Sequence, residues 1–194
     1  MPKLWTDTID EHRQQLREAI LDTVAVLVAE HGLLSVTMSG VAERTGVGRA
    51  TLYKYFPDVE SVLRAWHERQ VGRHLTELSD LAVGGDSPLQ RLRAVLSGYA
   101  HFAGAARGHN TEISAALHRG TAVSQAETAL RVLVTNLIAE AATAGEIRRD
   151  IPAAELANFC LHALTASGGA ACEAAVQRLI DVTLAGLAAD GTPV

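Results

Sequence analysis

One stretch constrains this chain more than any other. It is Thr37 to Phe56, reading TMSGVAERTGVGRATLYKYF. Met38, Val41 and Ala42 fall at spacings of three and four, the single apolar face of a short helix. Gly46 predicts the end of that helix, because a residue without Cβ turns left-handed there at no steric cost. Gly48 then opens a second short helix whose buried stripe is Leu52 and Phe56, four apart. Arg49, Thr51, Tyr53, Lys54 and Tyr55 are left for its outer side. That face offers cations, phenols and a hydroxyl but no carboxylate, which suits an anionic, hydrogen-bonding partner.

The charge distribution narrows the partner. The chain of 194 residues has a formal charge of −5, which argues against non-specific coating of nucleic acid. Residues 1–75 hold 9 Lys+Arg against 10 Asp+Glu, and residues 76–194 hold 8 against 12. Within 37–56 the balance reverses, with Arg44, Arg49 and Lys54 facing only Glu43. A basic face on an acidic protein fits site-specific binding better than general binding.

The rest of the chain reads as helix. Strand formers are few beside Ala, Leu, Glu, Gln and Arg, so an all-α chain is expected, with nine helices. Thr8 and Glu11 have capping-box spacing ahead of Leu16, Ile20, Val24 and Leu27, with Gly32 ending the first helix. Thr37 caps the second helix and Asp58 the fourth, which carries Val62, Leu63, Trp66, Leu75 and Leu78. Gly84-Gly85-Asp86-Ser87-Pro88 is the clearest break. Ser87 as cap, Pro88 at the first helical position and Gln90 three after the cap start the fifth helix. That helix is expected to loosen between Gly104 and Gly108, with a short sixth running from Asn110 through Leu117. Ser124 and Glu127 predict the start of a seventh helix that ends near Gly145. Asp150-Ile151-Pro152 starts the eighth, and the ninth follows Gly168-Gly169. The domains expected are 1–56, a connecting fourth helix over 57–83, and 84–194.

The final two helices are apolar over more than one face and rich in alanine. Such helices are buried on more than one side. The second surface is either another subunit or the interior of a monomer. A four-helix bundle across a two-fold axis would use Leu156, Cys160, Ala163, Leu164, Val176, Leu179, Ile180, Thr183, Leu184 and Leu187.

Catalytic and metal signatures are not legible. His67 and His74 lie seven apart, too far to chelate one ion unaided, and no Cys-x-x-Cys or His-x-x-x-His occurs. His101, His109, Glu112 and His118 can meet only if the fold gathers them. No enzyme activity and no cofactor are expected. Cys160 and Cys172 make no disulfide framework, and no signal peptide or membrane-length apolar run is present. The chain therefore reads as cytoplasmic, without a membrane partner.

Residues 32–63 resemble the TetR family of bacterial transcription regulators. The matching positions are Gly32, Thr37, Val41-Ala42, Gly46-Val47, Arg49, Thr51-Leu52-Tyr53, Tyr55-Phe56 and Leu63. Two positions depart: Val59 stands where the family usually has a phosphate-contacting lysine, and Gly48 where a serine is common. The resemblance implies an N-terminal three-helix helix-turn-helix domain and a C-terminal helical ligand-binding and dimerisation domain. It places the third helix in the major groove of a double-stranded DNA operator. Arg49 is then a base contact or a phosphate clamp, and Ala50 and Thr51 pack on thymine methyls. Tyr53, Lys54 and Tyr55 bind phosphates, with Tyr55 alternatively a core phenol, and Thr37 sets the second helix against the backbone.

A homodimer implies a near-palindromic operator. The resemblance also implies repression relieved by an unidentified small apolar or amphipathic effector. Residues for its site are Tyr99, Phe102, Leu117, Leu133, Leu137 and Phe159, with His101, His118, Asn136 and His162 as polar contacts. For each, ordinary packing or surface exposure is the competing reading. The competing function is a helical small-molecule-binding dimer with weak or no DNA binding.

Overall fold

A computed structural model of the chain describes residues 3–107, 121–169 and 172–188. Among these, all regular structure is helical. The α-helices are α1 (Lys3–His31), α2 (Met38–Thr45), α3 (Arg49–Tyr55), α4 (Val59–Leu81), α5 (Pro88–Arg107), α6 (Thr121–Thr143), α7 (Ala153–Leu164) and α8 (Glu173–Ala185). Single 3-10 turns stand at Leu33–Ser35 and Thr165–Gly169. The described residues thus hold eight α-helices. The expected sixth, with Leu117 and His118, lies outside them, as do His109 and Glu112.

The chain divides into two compact units, Met1–Gln70 and Val71–Val194, with the division inside α4. In the first unit, Ile20, Leu21, Val24 and Val28 of α1 are buried with Leu33, Val36, Val41, Ala42, Leu52, Phe56, Val62 and Leu63. Three elements shorter than nine residues each are thereby held by α1 and the start of α4. Isolated helices of such length are marginal in water, so this packing is what stabilises them.

In the second unit α5 is central, packing on α6, α7, α8 and the second 3-10 turn. Leu92, Val95, Leu96 and Ala100 present its fully buried face. A Cβ at Gly98 would lie 2.9 Å from Leu78 Cδ2, so glycine is what lets α5 approach the last turns of α4. Ser167, 3% exposed, donates its hydroxyl to the Ala100 carbonyl at 2.8 Å.

Several helix ends follow the local signals. Asp58 Oδ1 accepts from Ser61 N at 2.7 Å, and Asp58 N donates to Ser61 Oγ at 3.3 Å, a reciprocal cap for α4. Ser87 Oγ accepts from Gln90 N, and Gln90 Oε1 accepts from Asp86 N and Ser87 N. After α6, Gly145 (φ 78°) accompanies bonds from Glu146 N to Ala141 O and from Gly145 N to Ala142 O, a Schellman closure.

Three expected boundaries are corrected. α1 is already helical from Lys3, so Thr8 is internal and not a cap. α6 begins at Thr121 and not at Ser124, because Val123 is 4% exposed and extends the buried stripe one turn earlier. α5 continues through Gly104 to Arg107, one turn beyond the point where the Ser167 hydroxyl is bonded to the Ala100 carbonyl, and a single glycine is tolerated inside a helix.

Cys160 is fully buried, and desolvation pushes its thiol up to about 12, whereas Cys172 is exposed. A thiol-exchange reagent at about pH 8 is expected to modify one cysteine quickly in the folded protein and two after denaturation. Two fast thiols in the native protein would contradict this burial.

Candidate nucleic-acid interface and effector region

The helix-turn-helix is built from backbone outwards. Thr37 is extended (φ −129°, ψ 153°), and its Oγ1 accepts from Gly40 N at 3.1 Å, capping α2. Gly46 adopts φ 76°, ψ 11° and donates its N–H to Ala42 O and Glu43 O. A β-carbon is disfavoured at that φ, so glycine makes the turn between the helices. Gly48 precedes α3 without a side-chain cap. Leu52 is fully buried and Phe56 4% exposed, and the Arg17 guanidinium carbon lies 5.3 Å from the Phe56 ring centroid. These anchors fix which side of α3 faces out.

Arg49, Ala50, Tyr53 and Lys54 are exposed on that side, with Thr51 and Tyr55 half-buried. The neighbouring arginines are held by carboxylates. Arg44 bonds Glu30 at 2.9 Å, Arg64 bonds Glu60 at 2.6 Å, and Arg69 bonds Glu18 at 2.8 Å and Asp22 at 2.9 Å. Arg49 and Lys54 have no such ion pair among the described residues. Arg49 and Lys54 are therefore open to an external anion on the α3 face, and Arg13 and Arg17 of α1 also stand outside these ion pairs. Val59 is half-buried and offers none at the start of α4.

Sequence reasoning did not assign Ser39 and Glu43 to this surface. With Ala42 and Gly46 they form one stripe of α2, and that stripe lines a groove closed by Val47, Gly48 and Arg49. Their spacing of four, followed by Gly46 three further on, was the available signal.

The residues suggested for an effector do not all come together. Leu137 is in the core, 3% exposed, while Tyr99, Phe102 and Leu133 are half-buried against it. Phe102 stacks flat on His74, with centroids 3.9 Å apart and planes at 7°. Burial holds His74 below its ordinary pKa against the raising effect of Glu77. His74 was not singled out for this region because its stacking partner is 28 positions away along the chain. Asn136, His101 and His162 are exposed, and Phe159 is 49% exposed. His162 Nδ1 lies 2.8 Å from the Asn158 carbonyl. Leu117 and His118 lie outside the described residues.

The suggested dimer face is likewise rearranged. Leu156, Cys160, Leu164, Ile180, Thr183, Leu184 and Leu187 are covered within this one chain, and Ala163, Val176 and Leu179 are half-buried. Phe159 and Val182 (69% exposed) face outward instead, and a Cβ at Gly186 would lie 3.4 Å from the Phe159 ring. Periodicity marks two apolar sides of these helices. Which side is covered depends on α5, which local sequence does not reveal.

A capped helix, a left-handed glycine turn and a short second helix with exposed cations make up a helix-turn-helix. The family described as "Bacterial regulatory proteins, tetR family" matches residues 20–66, and "Transcriptional regulator SbtR-like, C-terminal domain" matches residues 87–189. The chain belongs to the tetR family, with an SbtR-like C-terminal domain. It is 33% identical over 76 residues to the HTH-type transcriptional repressor LfrR of Mycolicibacterium smegmatis, covering 39% of this chain and 36% of that protein. It is 34% identical over 82 residues to KstR, an HTH-type transcriptional repressor of Mycobacterium tuberculosis, covering 42% and 37%. The chain thus spans under half the length of these repressors.

Among solved structures, a TetR/AcrR-family regulator of Thermobifida fusca shares the fold at TM-score 0.70 and 19% identity, over 92% of this chain and 98% of that one. The TetR regulator SCO0520 of Streptomyces coelicolor gives TM-score 0.64 at 28% identity, over 89% and 98%. No described helix is long and apolar enough to cross a membrane.

His101 makes a testable contact inside the second unit. Its Nδ1 lies 2.7 Å from the Ser97 carbonyl and its Nε2 2.9 Å from Glu173 Oε2, so the imidazolium satisfies both acceptors. The Ser97 bond, and secondarily Glu173, raise its pKa above 6.5 despite partial desolvation. Gln177, and then His101, lower Glu173 below 4.5. The histidine's contribution is complete below 6.5 and lost as pH rises through its folded value. The carboxylate's contribution is present above 4.5 and lost as pH falls through its own. The stability gap between wild type and His101→Gln should therefore be widest at about pH 5 to 6 and close at alkaline pH. Thermal melts across that range check it, and a gap independent of pH would refute the ion pair.

Proposed function

We propose that this protein is a DNA-binding transcriptional regulator, acting in the cytoplasm as a homodimer on a near-palindromic operator. The observation that carries this reading is the exposed α3 face, where Arg49 and Lys54 stand without an ion pair while Arg44 of α2 and Arg64 of α4 are each held by a carboxylate. Arg49 suits guanine, whose N7 and O6 accept a bidentate guanidinium. Lys54, Tyr53 and Tyr55 suit phosphates, which fix register and not sequence. Thr37 orients the start of α2 toward the backbone. Ala50 and Thr51 suit thymine methyls. The family's regulatory character and the two matched repressors support transcriptional repression.

The dimer uses the outward side of α7 and α8. Phe159 and Val182 form its apolar centre, with Ala163, Val176 and Leu179 beside them. A two-fold contact places the same patch on both subunits. The effector is a small apolar or amphipathic molecule that reaches Tyr99, Phe102 and Leu133 beside His74. It relieves repression only by binding the DNA-incompetent arrangement more tightly, and DNA must weaken effector binding by the same factor. A second reading, a ligand-binding dimer with little DNA affinity, is favoured by Val59, which places no cation at the start of α4.

Selection from a random duplex pool separates the two, since a protein that enriches no sequence is not an operator-binding regulator. Once an operator is known, Arg49→Ala should weaken it by ~1–3 kcal/mol and relax one base pair per half-site. Lys54→Ala should weaken all sequences about equally and reduce the salt slope by about 1. Equal operator binding by Arg49→Ala and wild type at one salt concentration would remove Arg49 from this role. Val182→Asp should convert the dimer to monomer in sedimentation, and an unchanged sedimentation coefficient would place the interface elsewhere.

A further inference from the structure

The surface of residues 37–56 contains one carboxylate, Glu43, and the helix-turn-helix reading gives it no role. It is exposed, and no ion pair joins it to Arg44, which is held by Glu30, or to Arg49. It sits one turn beyond Ser39 on the α2 stripe whose groove ends at Arg49. A duplex entering this groove brings its charged backbone and its base edges close to Glu43. A carboxylate only accepts hydrogen bonds, so phosphate oxygens, guanine O6 and N7 and thymine O4 repel it. Cytosine N4 and adenine N6 are the major-groove donors that favour it. Arg49, at the other end of the groove, only donates and matches guanine. An acceptor-only and a donor-only side chain lining one groove are complementary to the two edges of G·C pairs.

We propose that Glu43 is a specificity-determining residue, which accepts from the N4 amino group of a cytosine next to the bases reached by Arg49. This rests on the DNA-binding function proposed above. Glu43 thereby discriminates by attraction to one amino group and by repulsion from every acceptor at the same position, a combination that a neutral residue does not supply. Ser39, a donor and an acceptor, tolerates either edge and is not the discriminating member.

The test is selection from a random duplex pool with wild type, Glu43→Ala, Glu43→Gln and Arg49→Ala. It is followed by dissociation constants for single-base-pair variants of the selected operator at one salt concentration. Wild type should prefer cytosine at one position per half-site by roughly 5- to 150-fold. Glu43→Ala should lose that preference, keep the others and bind unrelated DNA more tightly. Glu43→Gln should shift the position toward adenine, whose N6 and N7 suit an amide. Identical preferences in wild type and both Glu43 variants overturn the proposal, including the case in which Glu43→Ala merely binds all DNA more tightly. If Arg49→Ala loses a preference while the Glu43 variants lose none, operator binding stands and this inference alone fails. If wild type enriches no sequence, both fail. Glu43 is exposed, so matching circular dichroism of the variants is expected and shows that they fold.

Discussion

The left-handed turn at Gly46 is the constraint on which the first unit depends. One backbone conformation, φ 76°, ends α2 and redirects the chain within three residues into α3. α3 has only 7 residues and would not persist alone. Its orientation comes from the turn at one end and from Leu52 and Phe56 locked beneath it. Every property of the outer face follows. With a different turn, the same residues would present another combination of side chains, and the cations would not share a side.

Charge is organised by pairing more than by amount. The surface ion pairs of Arg44 and Arg64 each contribute little to stability, about 0–1 kcal/mol. Their effect on recognition is larger. An arginine that already has a carboxylate must give it up before it meets a phosphate, whereas Arg49 and Lys54 pay no such exchange. An acidic protein can in this way keep some of its attraction for an anion on a chosen face.

Much of the first unit was legible because its signals are local. Thr37, Gly46 and Asp58 act on backbone groups within a few positions, as Ser87 does in the second unit, so their roles can be read from spacing. The same motif fails where a distant packing partner decides. Ser124 and Glu127 have cap spacing, yet Val123 is buried and carries the helix through them. Gly104 suggests a break, yet α5 runs through it, one turn beyond the bond between Ser167 and Ala100. In α7 and α8 the sequence displays two apolar sides without saying which one α5 covers. Leu156, Cys160 and Leu164 therefore lie inside, and Phe159 outside. The flat contact of His74 with Phe102 joins α4 to α5 and leaves no periodic trace. The nucleic-acid face was thus mostly readable, and the effector region mostly not.

The bond from Ser167 to Ala100 has a mechanical meaning. It ties the turn after α7 to the middle of α5 through a hydroxyl and a carbonyl from which water is excluded. Sliding α5 along its axis by half a turn would leave the buried Ser167 hydroxyl without a partner, at a cost of ~1–3 kcal/mol, while the Ala100 carbonyl keeps its place in the helix. The second unit therefore has a tether built into its core: the turn that follows α7 cannot leave α5 without exposing or stranding a buried hydroxyl.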